Sequence, residues 1–226
     1  SSIYKLKVSS DIRDFLLVCF SAIIYKSSNA EPRDLKPRLA KVPNQIHVIN
    51  EFLRQLDFNI QRMCDITSVK TKSQIIGENA KNININRKVN LVLTSPPYLS
   101  AMEYFRSTKL EYYWLNDGDV KQYRELAKQT IHGEVSSSIP KKLYLTEISE
   151  IDVFIQNMYA KSPSFGFKAS WYFHEMNVIL KKMHNVLYAD GFLTMIIGNS
   201  QMLNQRVPLN SFMIQLCEKI GFDFKH

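Results

Sequence analysis

Apolar residues recur every three or four positions across residues 11–26, DIRDFLLVCFSAIIYK, so Ile12, Phe15, Leu16, Cys19, Phe20, Ile23 and Ile24 share one helical stripe. Ser10 and Asp11 are the N-cap candidates. The following SSNAEPRDLKPRLAKVP is rich in proline and basic residues and reads as an extended surface segment. A second helix is expected over 44–63, with Ile46, Ile49, Phe52, Leu53, Leu56, Ile60 and Met63 on its buried side. Residues 73–76, SQII, suggest a short strand ending at Gly77. Residues 89–94, VNLVLT, suggest a fully buried strand, apolar on both faces as in a parallel sheet.

Helical patterns return at 102–115, carrying Tyr104, Leu110, Tyr113 and Trp114, then at 120–128, 149–160 and 168–188. Between them, 130–148 is polar, basic and without period, and reads as a mobile loop. An Ala-Asp-Gly turn leads into FLTMII, 192–197, a second buried strand that stops at a Gly198-Asn199-Ser200 turn. A helix at 208–219 passes through Gly221 into what reads as one more strand. Strand and helix alternate after residue 70, which predicts a doubly wound α/β sheet behind an all-helical beginning. The expected division is a helical region over 1–66 and an α/β region over 67–226, with a mobile insertion at about 129–167.

Composition narrows the function classes. With 45% hydrophobic and 22% charged residues in 226, the chain has the material for a core. Its formal net charge of +8 suits a polyanionic partner, although the lysines and arginines are spread along the chain. Cys19, Cys64 and Cys217 are far apart, with no CxxC, and read as buried thiols in a reducing compartment. His132, His174 and His184 show no ligand spacing, so no metal is assigned. No apolar run reaches membrane-spanning length and the N-terminus is not a signal peptide, which makes a soluble cytoplasmic domain the expectation. There are 7 glycines, the first at 77, so the opening third holds no glycine-rich phosphate or nucleotide loop.

The chemistry centres on Ser95-Pro96-Pro97-Tyr98, directly after the strand at 89–94. In an open parallel sheet, ligands lie beyond the carboxyl ends of the strands. Two prolines make a stiff, extended turn with no N–H to satisfy, so the Ser95 and Pro96 carbonyls have no ladder to join. A serine oxygen beside a rigid carbonyl is a pair of acceptors for an exocyclic amino group. A tyrosine two residues on provides a face for a planar base. Orientation would carry most of the rate in a methyl transfer to that nitrogen.

TSPPY in this setting resembles motif IV of the S-adenosylmethionine-dependent DNA amino-methyltransferases, and its leading serine looks most like the N4-cytosine enzymes. The stretches YFRSTKLEYYWL, YFHEM…LKKMHNVLYADGFLTMIIGNS and VPLNSFMIQLCEKIGFDF are similar to the same DNA modification methylases, and RDFLL…SSNAEPRDLKPRLAKV to a helical region of larger members. The resemblance implies a Rossmann-like class-I methyltransferase sheet, here incomplete, with an α-helical N-terminal region. It implies S-adenosylmethionine as cofactor, extruded DNA bases as substrate, and a bacterial or archaeal restriction–modification setting. Catalytic roles would fall to Ser95 and the Pro96 carbonyl as acceptors, with Pro97 stiffening the turn and Tyr98 stacking on the base.

GENA, 77–80, stands where the family often has Gly-Asp-Ala near the cofactor's adenine, so Asn79 or Glu78 takes the acidic slot, one position out of register, and Asn79, Ala80 and Thr94 are the cofactor-binding candidates. Asn90 stands where an aspartate is common. The family's FxGxG loop, which holds the methionine part of the cofactor, has no counterpart, because no GxG exists in the chain. In the family's arrangement that loop would precede residue 1, so the expectation is the C-terminal part of a longer enzyme, a second polypeptide that supplies the loop, or lost activity.

Tyr104 and Arg106 either line the base or phosphate path or are a core and a solvated helix residue. Lys141 and Lys142 either contact DNA backbone or are solvated. Trp114, Trp171, Tyr172 and Phe173 are read as core. The expected reaction is N4-methylation of cytosine in DNA. N6-adenine or RNA amino methylation is the alternative with the same motif, and a non-catalytic nucleic-acid-binding or assembly subunit is the alternative without turnover.

Overall fold

Ser9 starts the first long helix: its hydroxyl accepts from the Ile12 N–H at 3.4 Å, one residue before the expected caps. The computed structural model describes residues 2–31, 37–43, 45–65, 73–77, 79–99, 104–116, 118–131 and 139–225. Its backbone divides into two units, Ser1–Ser73 with Tyr104–Leu126, and Gln74–Glu103 with Ala127–His226. Residues 104–126 thus group with the N-terminal helices, where the expected boundary at 66 puts them in the α/β region.

In the first unit, α1 (Ser10–Ser27) buries Cys19, Ile23 and Ile24, while Ile12 stays exposed. Helix α2 (Val48–Cys64) pairs with α1, and its Asn59 amide donates to Cys19 Sγ at 3.1 Å. Glu51 accepts from both Arg54 and Lys26, which together hold its carboxyl below the usual carboxylate range. The expected buried side of α2 is not buried. Ile49, Leu53, Ile60 and Met63 are exposed and no residue of the helix is enclosed, because among the described elements its contacts run to α1.

The expected helix over 102–115 is two helices, α3 (Tyr104–Ser107) and α4 (Lys109–Leu115). Thr108 separates them by turning its hydroxyl back onto the Phe105 carbonyl at 3.1 Å. Helix α5 (Val120–Lys128) matches its expected span. Trp114, read as core, is 59% exposed, its ring edge-on to that of Phe20.

In the second unit, strand β1 (Val89–Thr94) lies parallel to β2 (Leu187–Met195). The connection between them, which parallel pairing requires, runs through α3, α4 and α5 and then, within this unit, helices α6 (Ser149–Lys161) and α7 (Pro163–Val186). Ser162 alone joins the helices, ending one and preceding Pro163 at the start of the next. Ile151, Ile155 and Met158 of α6 meet the core of Tyr172, Phe173, Met176 and Leu180 from α7. The expected mobile insertion at 129–167 is therefore corrected. Residues 149–161 are a core helix, and the Tyr144 backbone is held at both N–H and carbonyl by Ser170 Oγ. Residues 132–138 lie outside the described part.

The strand reading also needs correction. Val92, Leu193, Met195 and Ile197 pack on the helical core, but Leu91, Leu93, Phe192 and Ile196 are exposed. Both faces are apolar, yet the described helices cover only one. Residues 73–77 form no strand, and Ile75 is 90% exposed, because no described segment pairs with them. Strand β2 begins at Leu187, earlier than expected, and loops out between the Val89–Leu187 and Leu91–Phe192 pairs. Gly191 sits in that irregularity, where a Cβ would come within 3.1 Å of the Asn90 carbonyl.

The expected turn at 198–200 instead opens a hairpin, β3 (Ser200–Met202) and β4 (Gln205–Val207). Its connecting residues Leu203 and Asn204 both have positive φ, 50° and 59°, the pattern of a type I′ turn. Helix α8 (Leu209–Ile220) buries Phe212, Met213 and Leu216 and ends at Gly221 with φ of 113°, a left-handed C-cap. The described residues 222–225 form no strand. Among the described residues, no helix is long and apolar enough to cross a membrane.

Two expectations for the folded state follow. A Cβ on Gly166 would lie 2.5 Å from the Tyr159 Cα across the α6–α7 contact, so Gly166→Ala must push two helix backbones apart. Urea denaturation should show a loss of about 1–3 kcal/mol, and an unchanged midpoint would contradict the close approach. The three cysteines also differ: Cys64 is exposed, Cys19 is enclosed, and burial pushes the Cys217 thiol up to about 11. A disulfide reagent at pH 8 should therefore modify one thiol quickly in the folded chain and the rest only after denaturation. Rapid modification of a second thiol would contradict the burial.

Candidate functional site

The end of β1 is held in register by one backbone bond and one side-chain bond. The Ile196 N–H donates to the Thr94 carbonyl at 2.9 Å, and Ser95 Oγ donates to the Ile196 carbonyl at 3.3 Å. The chain then runs through buried Pro96 and half-buried Pro97 and Tyr98 into Leu99, which is 0% exposed in the core. Tyr172 of α7 donates its phenol O–H to the Pro97 carbonyl at 2.9 Å. The tetrapeptide is thus fastened to β2 at its start, to α7 in its middle and to the core at its end. Proline stiffness adds to this, since neither ring can rotate about φ.

The fastening selects which acceptors remain. The Pro97 carbonyl is occupied by Tyr172. The Ser95 and Pro96 carbonyls accept no hydrogen bond from a described residue, and Ser95 Oγ, having given its proton to Ile196, keeps lone pairs for an incoming donor. Past the end of β2 the Tyr98 ring lies beside Gly198, where an added Cβ would sit in ordinary van der Waals contact at 3.5 Å from the ring.

Helix α7 also reaches the other expected site segment. Asn79 Oδ1 accepts from the Lys81 N–H at 3.0 Å and caps a 3₁₀ turn over Ala80–Asn82, with Ala80 packed on the core. Lys81 Nζ meets Glu175 Oε1 at 2.5 Å. Glu175 is 3% exposed, and its Oε2 is buried with no partner among the described residues. Tyr172 and Glu175 are three residues apart, so one turn of α7 orients both the tetrapeptide and the 79–82 turn.

Ser95, Pro96, Pro97, Tyr98, Thr94, Asn79, Ala80, Lys141 and Lys142 all lie in the second unit. Thr94 is half-buried at the strand end, and Asn90 is exposed. Lys141 and Lys142 are exposed, with Lys142 Nζ 5.2 Å from the Tyr144 ring centroid. Tyr104 and Arg106 belong to α3 of the first unit, where Arg106 is exposed and the Tyr104 side chain is outside the described part. Glu78 also lies outside it.

The sequence alone singles out neither Glu175 nor Lys81, marks Tyr172 only as core, and offers Gly198-Asn199-Ser200 as a turn that could border the base pocket. One signal was available: Glu175 interrupts an otherwise apolar stripe of Tyr172, Met176 and Ile179, and a carboxylate there demands a partner. Comparison with protein-family models, curated proteins and solved structures finds no match to the chain.

Removing the Tyr172 hydroxyl tests the fastening. Tyr172→Phe keeps the buried ring but leaves the Pro97 carbonyl without this donor, and should cost about 1–3 kcal/mol in denaturant unfolding. A variant as stable as the parent would show that the bond does not hold the turn.

Proposed function

We propose that this chain is part of a DNA amino-methyltransferase that carries the grip on the target amino group, with the N4 of cytosine as the favoured target. One observation carries the reading: in a Ser-Pro-Pro-Tyr turn fastened at the carboxyl end of a parallel strand, the Ser95 and Pro96 carbonyls accept no hydrogen bond from a described residue, and an aromatic ring follows at Tyr98. The parallel pair with a helical crossover supports placing it in a Rossmann-like class-I sheet, where ligands lie at strand ends. The resemblance of TSPPY to motif IV supports the reaction class.

The chain's residues act by orientation. Ser95 Oγ and the Pro96 carbonyl accept from the two N–H groups of an exocyclic amine, which draws the nitrogen toward tetrahedral geometry and aims its lone pair. Tyr98 stacks on the ring of an extruded base. Tyr172 and the prolines keep these groups still, so the reactive geometry is present before the base arrives. When bound, S-adenosylmethionine supplies a methyl group on sulfonium sulfur, which the amine takes with loss of a proton to solvent.

The fit of this cofactor is partial. Asn79, Ala80 and Thr94 would hold its adenine side, near a buried, unpartnered carboxylate oxygen on Glu175. For the methionine side the sequence contains no GxG loop. The formal net charge of +8 favours a second reading, in which the chain binds nucleic acid or assembles with another polypeptide without turning over by itself.

The test is mass spectrometry of nucleosides after DNA is incubated with the chain and S-adenosylmethionine, preceded by calorimetric titration of the cofactor. N4-methylcytosine supports the reading, and N6-methyladenine alone overturns the choice of base. DNA binding without cofactor binding or methyl transfer supports the second reading. In a cofactor-competent form, Ser95→Ala and Pro97→Ala should retain DNA affinity within a few-fold and lose turnover by at least 10²-fold, on the scale of other positioned catalytic donors and acceptors. Parental turnover in either variant would remove the tetrapeptide from the mechanism.

A further inference from the structure

Three rings meet where the segment before α6 crosses α7. Tyr144 and His174 have centroids 4.4 Å apart at 33°, His174 and Trp171 are 5.1 Å apart at 24°, and Tyr144 and Trp171 are 5.4 Å apart. All three are half-buried, unlike the rings of Phe173 and Phe212, which are enclosed in the core. Lys142 stands over the Tyr144 ring at 5.2 Å, and Lys141 beside it in sequence is exposed. The platform is rigid, because the fully buried Ser170 hydroxyl accepts from the Tyr144 N–H at 2.5 Å and donates to its carbonyl at 3.0 Å.

We propose that Tyr144, Trp171 and His174, flanked by Lys141 and Lys142, form a stacking site for a base of single-stranded DNA, with the lysines neutralising adjacent phosphates. A base offers every sequence the same π-face, so a preformed aromatic surface binds it with little dependence on identity. A pair of exposed ammonium groups beside that surface meets the phosphates on either side of a stacked base. The Ser170 bonds already fasten residue 144 to α7, and the exposed Lys142 over the Tyr144 ring, with exposed Lys141 before it in sequence, adds positive charge to a half-buried aromatic cluster. The tetrapeptide takes no part in this site. The choice of DNA as the polyanion rests on the proposed function, and the binding itself is measured without cofactor or turnover.

The chain has two tryptophans, so Trp114→Phe leaves Trp171 as the reporter. Titration with a thymidine dodecamer at low salt should quench its fluorescence saturably. An abasic dodecamer of equal charge should bind about tenfold more weakly, since stacking strengthens binding at each base. Lys141→Gln with Lys142→Gln should lower the slope of log K against log salt by about 1.4, from two phosphates at ~0.7 each. That double variant alters only exposed side chains and keeps the proposal testable should changes at Trp171 or His174 unfold the domain. Absence of quenching, equal affinity for the abasic strand, or an unchanged salt slope in the lysine variant would each overturn the site. Loss of methyl transfer with this binding intact would instead count against the proposed function alone.

Discussion

The Tyr172–Pro97 hydrogen bond is the interaction on which the candidate site depends. A tyrosine enclosed at 0% exposure must satisfy its hydroxyl, and the prolines leave a carbonyl that no strand ladder uses. Each group answers the other's need, so the bond couples a core helix to a strand-end turn without further machinery. Three residues on, Glu175 does the same for the 79–82 turn through Lys81. A buried ion pair is a weak source of net stability, because desolvation offsets most of its attraction. Its use here is registration: the lysine reaches its partner only when the turn has one position along α7.

Register is a sharper problem for the two strands. When one sheet face is polar, a one-residue slip exposes the wrong side chains and hydrophobicity selects the pairing. Here Leu91, Leu93, Phe192 and Ile196 on the open face are as apolar as Val92, Leu193 and Met195 on the covered one. A slip would therefore change little in buried character. Selection falls to local features: the irregularity at Gly191, where a Cβ would crowd the Asn90 carbonyl at 3.1 Å, and the bonds that tie Thr94 and Ser95 to Ile196. The features that set the register are also those that place Ser95.

What the sequence made legible follows from this. Helices α1, α5, α6, α7 and α8 carry periodic apolar stripes, and their spans were readable to within a few residues, α7 starting earlier than expected because Pro163 can open a helix. The tetrapeptide was readable because two prolines after an apolar run have few structural explanations. The hairpin at 200–207 was not, since Leu203 adopts a positive φ that its side chain does not advertise. Burial of α2 and of the open sheet face was over-read for one reason. Periodicity reports which side chains share a face, and whether anything covers that face depends on elements elsewhere in the fold. Tyr172 was readable as buried but not as a donor, because its acceptor lies 75 residues away.

The distribution of acceptors gives the last step. Of the carbonyls in Ser-Pro-Pro-Tyr, the fold engages Pro97 and leaves those of Ser95 and Pro96 without a described donor. Had Tyr172 reached Pro96 instead, the turn would be equally well anchored and the acceptor beside the serine hydroxyl would be consumed. The bond to Pro97 satisfies the buried phenol and leaves the acceptor adjacent to Ser95 open. That open acceptor is what the proposed grip on an amino group needs, and the proposal therefore depends on the anchoring bond being made one residue further along the chain.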